Sequence, residues 1–199
     1  MFFDKDRNGI VLGEGAGFLI LETLDSALAR QAKILCEIQG FGMSGDGYHL
    51  VKPQESGEGN LRAMLMAVDR SGLKPKEIIE EGLFVNAHAT STVVGDKAEL
   101  IGIEKLINHL SQKQVDKVRA ISFKANIGHC FSAAGIIESI LGIHSLNTET
   151  IPKNLFFDGC EVEQNTVKFS KTQTTFKGRY MLKNSFGFGG VNTSMLISK

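Results

Sequence analysis

The sequence has no tryptophan, only three prolines and only three cysteines. Cys36, Cys130 and Cys160 are far apart and odd in number, which argues against a disulfide framework. They have no CxxC spacing, so a structural zinc site is not expected. No apolar run approaches the roughly 20 residues of a membrane-spanning helix, and no basic segment leads into an apolar one as in a signal peptide. We therefore expect a soluble protein without a membrane partner.

Neither sign of charge is in excess, because 22 Lys and Arg residues balance 22 Asp and Glu residues. Electrostatic capture of nucleic acid or of an anionic membrane is therefore not favoured. The chain does have enough apolar material for one compact domain, since 42% of its 199 residues are hydrophobic. Its 22 glycines indicate frequent tight turns and close backbone approaches.

The opening stretch, MFFDKDRNG, resembles the start of an EF-hand calcium loop. Asp4, Asp6, Asn8 and Gly9 fall at its first, third, fifth and sixth positions. The twelfth position of such a loop supplies a bidentate Glu, but Gly15 stands there. Calcium binding is therefore not predicted, and the stretch needs another explanation.

Alternation of strand-like and helix-like segments predicts a layered α/β fold. Short apolar runs bounded by Gly or polar residues predict strands at residues 17–22, 33–42, 83–87, 120–123, 165–170, 179–185 and 192–198. Helical spacing predicts helices at residues 23–32, 58–73, 96–110 and 132–146.

Side-chain patterns within these elements predict burial and capping. One helix has apolar residues at i, i+3, i+4 and i+7, which predicts a core face: Leu61, Met64, Leu65 and Val68. Asp96 and Glu99 form a D-x-x-E pattern, which predicts a capping box at the start of the next helix. Cys36 falls inside an apolar strand and is expected in the core. Helix 132–146 is apolar nearly all round, as expected for a helix buried between layers.

Three loops combine polar groups with small residues where a predicted strand ends. NAHATSTVVGDKAE contains His88, SFKANIGHCFSAAG contains Lys124 and His129, and NSFGFGGVN interleaves two aromatics with glycines. Each alone is typical of an ordinary structural loop. Open α/β sheets, however, gather their sites at the carboxyl ends of strands. Together the three loops predict an electrophilic pocket that stabilises an enolate or oxyanion.

These three motifs, in this order, resemble the C-terminal half of a β-ketoacyl-[acyl-carrier-protein] synthase, a condensing enzyme of the thiolase-like superfamily. FDKDRNGIVLGEGAGFLILE and GFGMSGDGYHLVKP also resemble that family, so the similarity covers nearly the whole chain. The resemblance implies a thiolase-like layered α/β fold, present as its C-terminal half with a short tail of the N-terminal half. Residues 1–32 would be that tail, a strand plus a helix, and residues 33–199 the C-terminal synthase domain.

The resemblance also implies an activity, the decarboxylative Claisen condensation of an acyl group with malonyl-acyl carrier protein in fatty acid biosynthesis. His88 and His129 match the histidines that bind the malonyl thioester carbonyl and stabilise the enolate. Lys124 matches the active-site lysine, Glu138 its carboxylate partner, and Asp96 a supporting residue. No cofactor is implied, because the substrates are carried on the phosphopantetheine of acyl carrier protein.

Substrate-binding positions follow in the same way. Thr90 and Thr92 match hydroxyls that bind the pantetheine arm. Phe188, between Gly187 and Gly189, matches a mobile aromatic gate. In some members a monovalent cation lies near the positions of four residues: Asn86, Glu138, Asn184 and Ser185.

The sequence departs from the family at several positions. Ala89 stands where the family usually has Gly, and Phe123 where a small hydroxyl residue is common. The nucleophilic Cys of the family lies in its N-terminal half, and none of Cys36, Cys130 and Cys160 has the matching setting. We therefore expect no acyl elongation by this chain alone, and an apolar surface on helix 132–146 that favours aggregation.

The expected partners are acyl carrier protein, an N-terminal synthase half and, in the full-length enzyme, a second copy in a homodimer. The cytoplasm and an organelle (mitochondrion or plastid) both stay open as the compartment. Two other interpretations stay open. One is a non-catalytic partner subunit of a ketosynthase, and the other is a thiolase, although the glycine-flanked C-terminal Cys that thiolases use as a base is missing.

Overall fold

One mixed sheet carries the fold in the computed structural model, which describes residues 2–111, 115–159 and 167–199. The helices are α1 (Leu24–Ala29), α2 (Glu58–Ser71), α3 (Pro75–Glu80), α4 (Val93–Leu110), α5 (Lys124–Ile127) and α6 (Ala134–Thr148). The strands are β1 (Glu37–Gly45), β2 (Leu83–Asn86), β3 (Val118–Ile121), β4 (Thr150–Ile151), β5 (Lys168–Phe169), β6 (Thr174–Thr175), β7 (Tyr180–Gly187) and β8 (Val191–Ser198). The larger sheet has the order β1-β8-β7-β2-β3-β5, and β4 pairs separately with β6.

The centre of the sheet is parallel. Strand β2 pairs in parallel with β3 on one side and with β7 on the other, so all three end at the same edge. Strands β8 and β1 extend the sheet in antiparallel pairs. The loops that follow β2, β3 and β7 therefore leave the sheet together, as the sequence predicted.

Two cores lie on opposite faces of the sheet. All four residues of β2 are buried, and Leu83 and Val85 pack with α2 and α4 while Phe84 packs with α6. Strand residues point alternately to the two faces, so this division shows helices on both sides of the sheet. The predicted layered α/β fold is confirmed. The predicted apolar stripe of α2 is also confirmed as core-facing, with Met64 and Val68 fully buried.

The strand predicted at residues 17–22 is wrong. These residues are not in a strand, and Phe18 is 89% and Ile20 87% exposed. A strand needs a neighbour to pair its backbone groups, and none of the described residues pairs with this segment in a sheet. The helix predicted after it is present but short, since α1 spans Leu24–Ala29.

The capping box predicted at Asp96 and Glu99 is also wrong. Helix α4 begins at Val93 with Thr92 as its N-cap, so Asp96 lies in its first turn. Both carboxylates are buried and accept amides from the preceding loop instead of capping the helix. Cys36 differs as well, because it lies one residue before β1 and is only half-buried.

The exposed apolar side chains lie mainly on the segment before β1 and less on α6. The outer isoleucines of α6 are half-buried, and Ile137 and Ile140 lie close to Gly15 and Gly17 of that segment. Large apolar side chains of the segment itself are exposed: Ile10, Val11, Leu12, Phe18, Ile20, Leu21, Leu24 and Leu28. We call residues 10–28 the apolar arm. In the part of the chain that the structure describes, no helix combines the length and apolar character needed to cross a membrane.

We predict that replacing both Phe18 and Ile20 with Asp lowers apolar-dye binding and self-association of the 199-residue chain. Both side chains are exposed, so the free energy of unfolding should change by only about 0.5 kcal/mol per site. Dye fluorescence, sedimentation and thermal unfolding measure the three effects. The control is Phe84→Asp, which places a charge in the core and should prevent folding. Unchanged dye binding in the double variant contradicts the prediction.

Candidate active site

The loops after β2 and β3 bring two imidazoles and an ammonium together at the edge of the sheet. The ring centroids of His88 and His129 are 5.7 Å apart, and the rings are nearly perpendicular. Lys124, at the start of α5, donates a hydrogen bond from Nζ to the carbonyl oxygen of His88. The three polar groups singled out in these two motifs are therefore neighbours.

A buried carboxylate holds the ammonium in place. Glu138 of α6 receives Lys124 Nζ at 2.6 Å on Oε1 and Lys183 Nζ at 2.7 Å on Oε2. All three side chains are at most 4% exposed. Lys183 was missed by the sequence analysis. Its signal was a charged residue inside a strand whose neighbours, Leu182 and Asn184, are both buried.

The electrostatics of the site favour neutral imidazoles. Burial, and then the charge of Lys124, hold the pKa of His88 well below its ordinary 6.5. The same two causes, in the same order, lower the pKa of His129. Burial and the neighbouring Lys183 lower the pKa of Lys124 to about 8. At neutral pH each ring therefore has one N–H donor and one acceptor nitrogen.

Backbone contacts decide which nitrogen of His129 carries the proton. The amide of Phe131 donates to His129 Nδ1 at 3.1 Å, so Nδ1 is an acceptor and the proton of the neutral ring is on Nε2. The segment around Val11 pairs with the His129 backbone, whose amide donates to the Val11 carbonyl at 2.7 Å. This approach requires Gly13, where an added Cβ would lie 2.1 Å from the Ile127 carbonyl oxygen.

A second buried carboxylate fixes the backbone of His88. Glu99 of α4 accepts the amides of His88 at 2.9 Å and Ala89 at 2.7 Å. The side-chain amide of Asn184 on β7 donates to the same carboxylate at 3.0 Å. Burial raises the pKa of Glu99, while these donors lower it. Ala89 is buried in the core and has no positive φ, so the position accommodates its methyl group.

The opening motif positions the loop that contains Thr90 and Thr92. Asp96 accepts the amides of Phe3 at 2.9 Å and Thr90 at 3.0 Å, and burial raises its pKa to about 6. Arg7 donates to the carbonyl oxygens of Thr92 and of the residue after it. The hydroxyls of Thr90 and Thr92 lie 3.2 Å apart.

Asp4 explains the acidic start of the chain. Its carboxylate accepts the amides of Asp6 and Asp158 at 2.8 Å and of Gly159 at 3.2 Å. These contacts connect the first residues to the loop after β4. The motif is therefore a structural clamp between two loops.

The loop after β7 is a hairpin tip to β8. Phe188 is 76% exposed there, and the flanking Gly189 has φ +79°. Gly189 donates its amide to the Leu50 carbonyl, and the Asp46 amide donates to Gly190, so the tip contacts the loop after β1. The aromatic ring of this motif beside His88 is Phe186, at 6.0 Å between centroids, to which the sequence analysis gave no role of its own.

A cavity of about 320 Å³ opens beside these groups. Its lining combines the apolar arm, the Thr90 loop and α5: Phe2, Gly9, Ile10, Val11, Leu12, Thr90, Ser91, Lys124, Ala125, Asn126, Ile127, Gly128, His129 and Phe156. Lys124 and His129 thus line this cavity, whereas His88 is not among its lining residues.

Neither described cysteine is placed to attack a substrate in this cavity. Cys130 is 7% exposed, and its thiol lies close to the Ile127 and Gly128 carbonyl oxygens. Cys36 precedes the first residue of β1, at the end of the strand away from the loop that contacts the hairpin tip. Cys160 lies outside the described residues. Phe123, the other departure, packs in the core edge-on to Phe84.

Comparison with known proteins agrees with this geometry. The family described as "Beta-ketoacyl synthase, C-terminal domain" matches residues 35–158. The chain is 40% identical over 201 residues to the 3-oxoacyl-[acyl-carrier-protein] synthase 2 of Vibrio cholerae, covering 99% of this chain and 46% of that protein. It is 40% identical over 204 residues to the 3-oxoacyl-[acyl-carrier-protein] synthase homolog of Saccharomyces cerevisiae, covering 99% and 45%. A solved β-ketoacyl synthase from Burkholderia phymatum is 29% identical with a TM-score of 0.86, covering 100% and 46%.

The chain therefore belongs to the β-ketoacyl synthase family and corresponds to its C-terminal half. The thiolase-like fold and the family that the sequence predicted are confirmed. The chain spans about half the length of the curated relatives it matches.

We predict that Glu138→Gln destabilises the protein by about 3–5 kcal/mol, because it leaves two buried ammonium groups without a carboxylate. Denaturant unfolding measures the change. The matched control is Glu149→Gln, which breaks an exposed pair with Lys199 and should cost less than about 1 kcal/mol. Equal losses of unfolding free energy in the two variants would contradict the prediction, because burial of the cluster would then add nothing to the cost of removing the carboxylate.

We also predict that His129 is neutral at pH 7 with its proton on Nε2. Its Nδ1 accepts a backbone amide, and burial lowers its pKa. ¹⁵N NMR of the imidazole should show an unprotonated Nδ1 and a titration midpoint below 6.5, with His129→Ala to assign the signal. A midpoint above 6.5, or a protonated Nδ1 at pH 7, contradicts the assignment.

Proposed function

We propose that this chain supplies the decarboxylation machinery of a 3-oxoacyl-[acyl-carrier-protein] synthase that acts in fatty acid biosynthesis. The observation that carries the proposal is the pair of imidazoles 5.7 Å apart, with the Nε2–H of His129 free to donate. Neutral N–H donors held in fixed positions suit a developing oxyanion, because no reorganisation is needed when the charge forms. The names of the relatives support the choice of acyl carrier protein as the substrate carrier.

In the proposed step, the two imidazoles donate hydrogen bonds to the thioester carbonyl oxygen of malonyl-acyl carrier protein. The bond between the carboxylate carbon and the methylene carbon breaks, and CO₂ leaves. The electron pair of the broken bond stays on the methylene carbon and forms the enolate. His88 and His129 stabilise the negative oxygen of this enolate. The enolate carbon then attacks an acyl thioester, forming a carbon–carbon bond and releasing the thiolate that carried the acyl group.

Lys124 acts on this site through the backbone and through its charge. Its ammonium bonds to the His88 carbonyl and pairs with Glu138, which fixes the loop that presents the imidazole. Its positive charge also disfavours protonation of both histidines, so that they stay donors without becoming acids. We assign Lys124 and Glu138 as positioning residues, and Asp96 as the carboxylate that anchors the loop of Thr90.

The remaining assignments follow from the family. Thr90 lines the cavity, the Thr92 hydroxyl lies 3.2 Å from the Thr90 hydroxyl, and both would bind the pantetheine arm. Phe188 with its flanking glycines would gate the acyl pocket. We propose that the acyl-accepting thiol comes from an N-terminal synthase half, because neither described cysteine faces the cavity. The apolar arm would pack on that half, and residues 1–32 would be the end of that half, of which Phe3 and Arg7 contact Asp96 and the loop of Thr90. A homodimer of the whole enzyme is expected from the resemblance.

We predict that His129→Ala in the full-length protein slows decarboxylation of malonyl-acyl carrier protein by about 10²-fold or more, because it removes an oxyanion donor. CO₂ release from labelled malonyl-acyl carrier protein measures the rate. The matched control is His144→Ala, an exposed histidine on α6 that should leave the rate unchanged. An unchanged rate in His129→Ala, with the fold intact by circular dichroism, removes this imidazole from the mechanism.

A second experiment tests whether condensation requires an N-terminal synthase half. The 199-residue chain alone should form no 3-ketoacyl product from acyl- and malonyl-acyl carrier protein. Adding a separately expressed N-terminal half with a reactive cysteine should restore condensation. Product from the chain alone overturns the proposal, and stable pairing without condensation favours a non-catalytic partner subunit instead.

A further inference from the structure

A second buried lysine distinguishes the charge cluster behind the active site. Lys183 lies in the middle of β7, opposite Asn86 of β2, and its side chain is 4% exposed. Its Nζ contacts Glu138 Oε2 at 2.7 Å and donates to the carbonyl oxygen of Asn184. The proposed mechanism does not use it, and a buried charge is costly unless it has a task or a partner.

The surroundings of Lys183 are those that the resemblance implies for a monovalent cation. That cation would lie near Asn86, Glu138, Asn184 and Ser185, and Lys183 Nζ already contacts two of them. The other oxygens are mostly committed. Asn184 Oδ1 accepts from Ser194 Oγ at 2.7 Å, and the Ser185 carbonyl accepts from Thr193 Oγ1 at 3.0 Å.

The charges around Glu138 also argue against a metal cation at this position. Each Glu138 oxygen already forms an ion pair with an ammonium nitrogen, at 2.6 and 2.7 Å. A metal cation at this place would approach two like charges in a region of low dielectric, where repulsion is strong. It would also have to displace one ammonium from the carboxylate. The residues present therefore do not fit a monovalent metal ion.

Asn86, which lies opposite Lys183 in the sheet, has one buried side-chain oxygen without a partner among the described residues. Asn86 Nδ2 donates to the Glu138 carbonyl at 2.7 Å, while Asn86 Oδ1 has no hydrogen-bond partner among the described residues. A buried acceptor without a partner is unfavourable, and a cation ligated by oxygens would satisfy it. Removing the Lys183 side chain would therefore open a place bounded by a carboxylate, a carbonyl and an amide oxygen.

We propose that the Lys183 ammonium is the resident cation of this site and replaces a monovalent metal ion. The side chain supplies a fixed positive charge next to Glu138 Oε2 and leaves Oε1 to pair with Lys124. The protein should accordingly be indifferent to K⁺. This inference concerns the charge cluster and does not depend on the proposed condensation.

Thermal unfolding of the full-length protein tests the inference, in KCl against tetramethylammonium chloride at equal ionic strength. The wild type should unfold at the same temperature in both salts. Lys183→Ser should be destabilised, and K⁺ should then raise its Tm saturably by about 3 °C when K⁺ is at ten times its Kd. The matched control is Lys97→Ser, an exposed lysine on α4, which should show no K⁺ response.

Two results overturn the proposal. One is a saturable K⁺ stabilisation of the wild type, and the other is a folded Lys183→Ser variant that responds equally to both salts. If Lys183→Ser does not fold, crystals of the wild type soaked in RbCl decide the matter. An anomalous Rb⁺ peak beside Glu138 overturns the inference, and its absence there, with Lys183 Nζ in contact with the carboxylate, supports it.

Discussion

The site depends on one carboxylate in a buried position. Glu138 pairs with two ammonium groups, one from α5 after β3 and one from the middle of β7, and thereby joins α6 to both elements. Because Lys124 also bonds to the His88 carbonyl, the loop after β2 is tied to the same point. Buried ion pairs add little net stability, since desolvation offsets their attraction. Their effect here is geometric, because they connect α6 to α5, to β7 and to the loop after β2.

A second carboxylate balances the first. Glu99 approaches from α4, on the opposite face of the sheet, and holds the amides of His88 and Ala89. Two carboxylates and two ammonium groups thus surround two imidazoles. This balance matters because an excess of negative charge would raise the pKa of the imidazoles, and charged rings would then exchange protons instead of donating fixed hydrogen bonds. Together with burial, the lysines keep the pKa values of His88 and His129 below 6.5.

Much of this arrangement could be predicted from the sequence, because strand order along a parallel sheet places motifs at one edge regardless of details. The failures have physical causes. Residues 17–22 have the composition of a strand, but pairing depends on a neighbour that local sequence does not describe. Asp96 and Glu99 matched a capping pattern, yet their carboxylates bond to tertiary neighbours that no local pattern reveals. Lys183 had only a weak local signal, a charge inside a strand, and its partner Glu138 is distant in sequence.

The proposed need for a second synthase half rests on the same geometry. Lys124 and His129 line the cavity and suit stabilisation of an oxyanion, and no cysteine is among the described residues that line it. In the proposed reaction, the acyl thioester would be presented by a partner at the open side of the cavity. The apolar arm borders that same cavity through Ile10, Val11 and Leu12. A partner that covers the arm would thus close the cavity and exclude water in one step, which couples assembly of the fold to completion of the site.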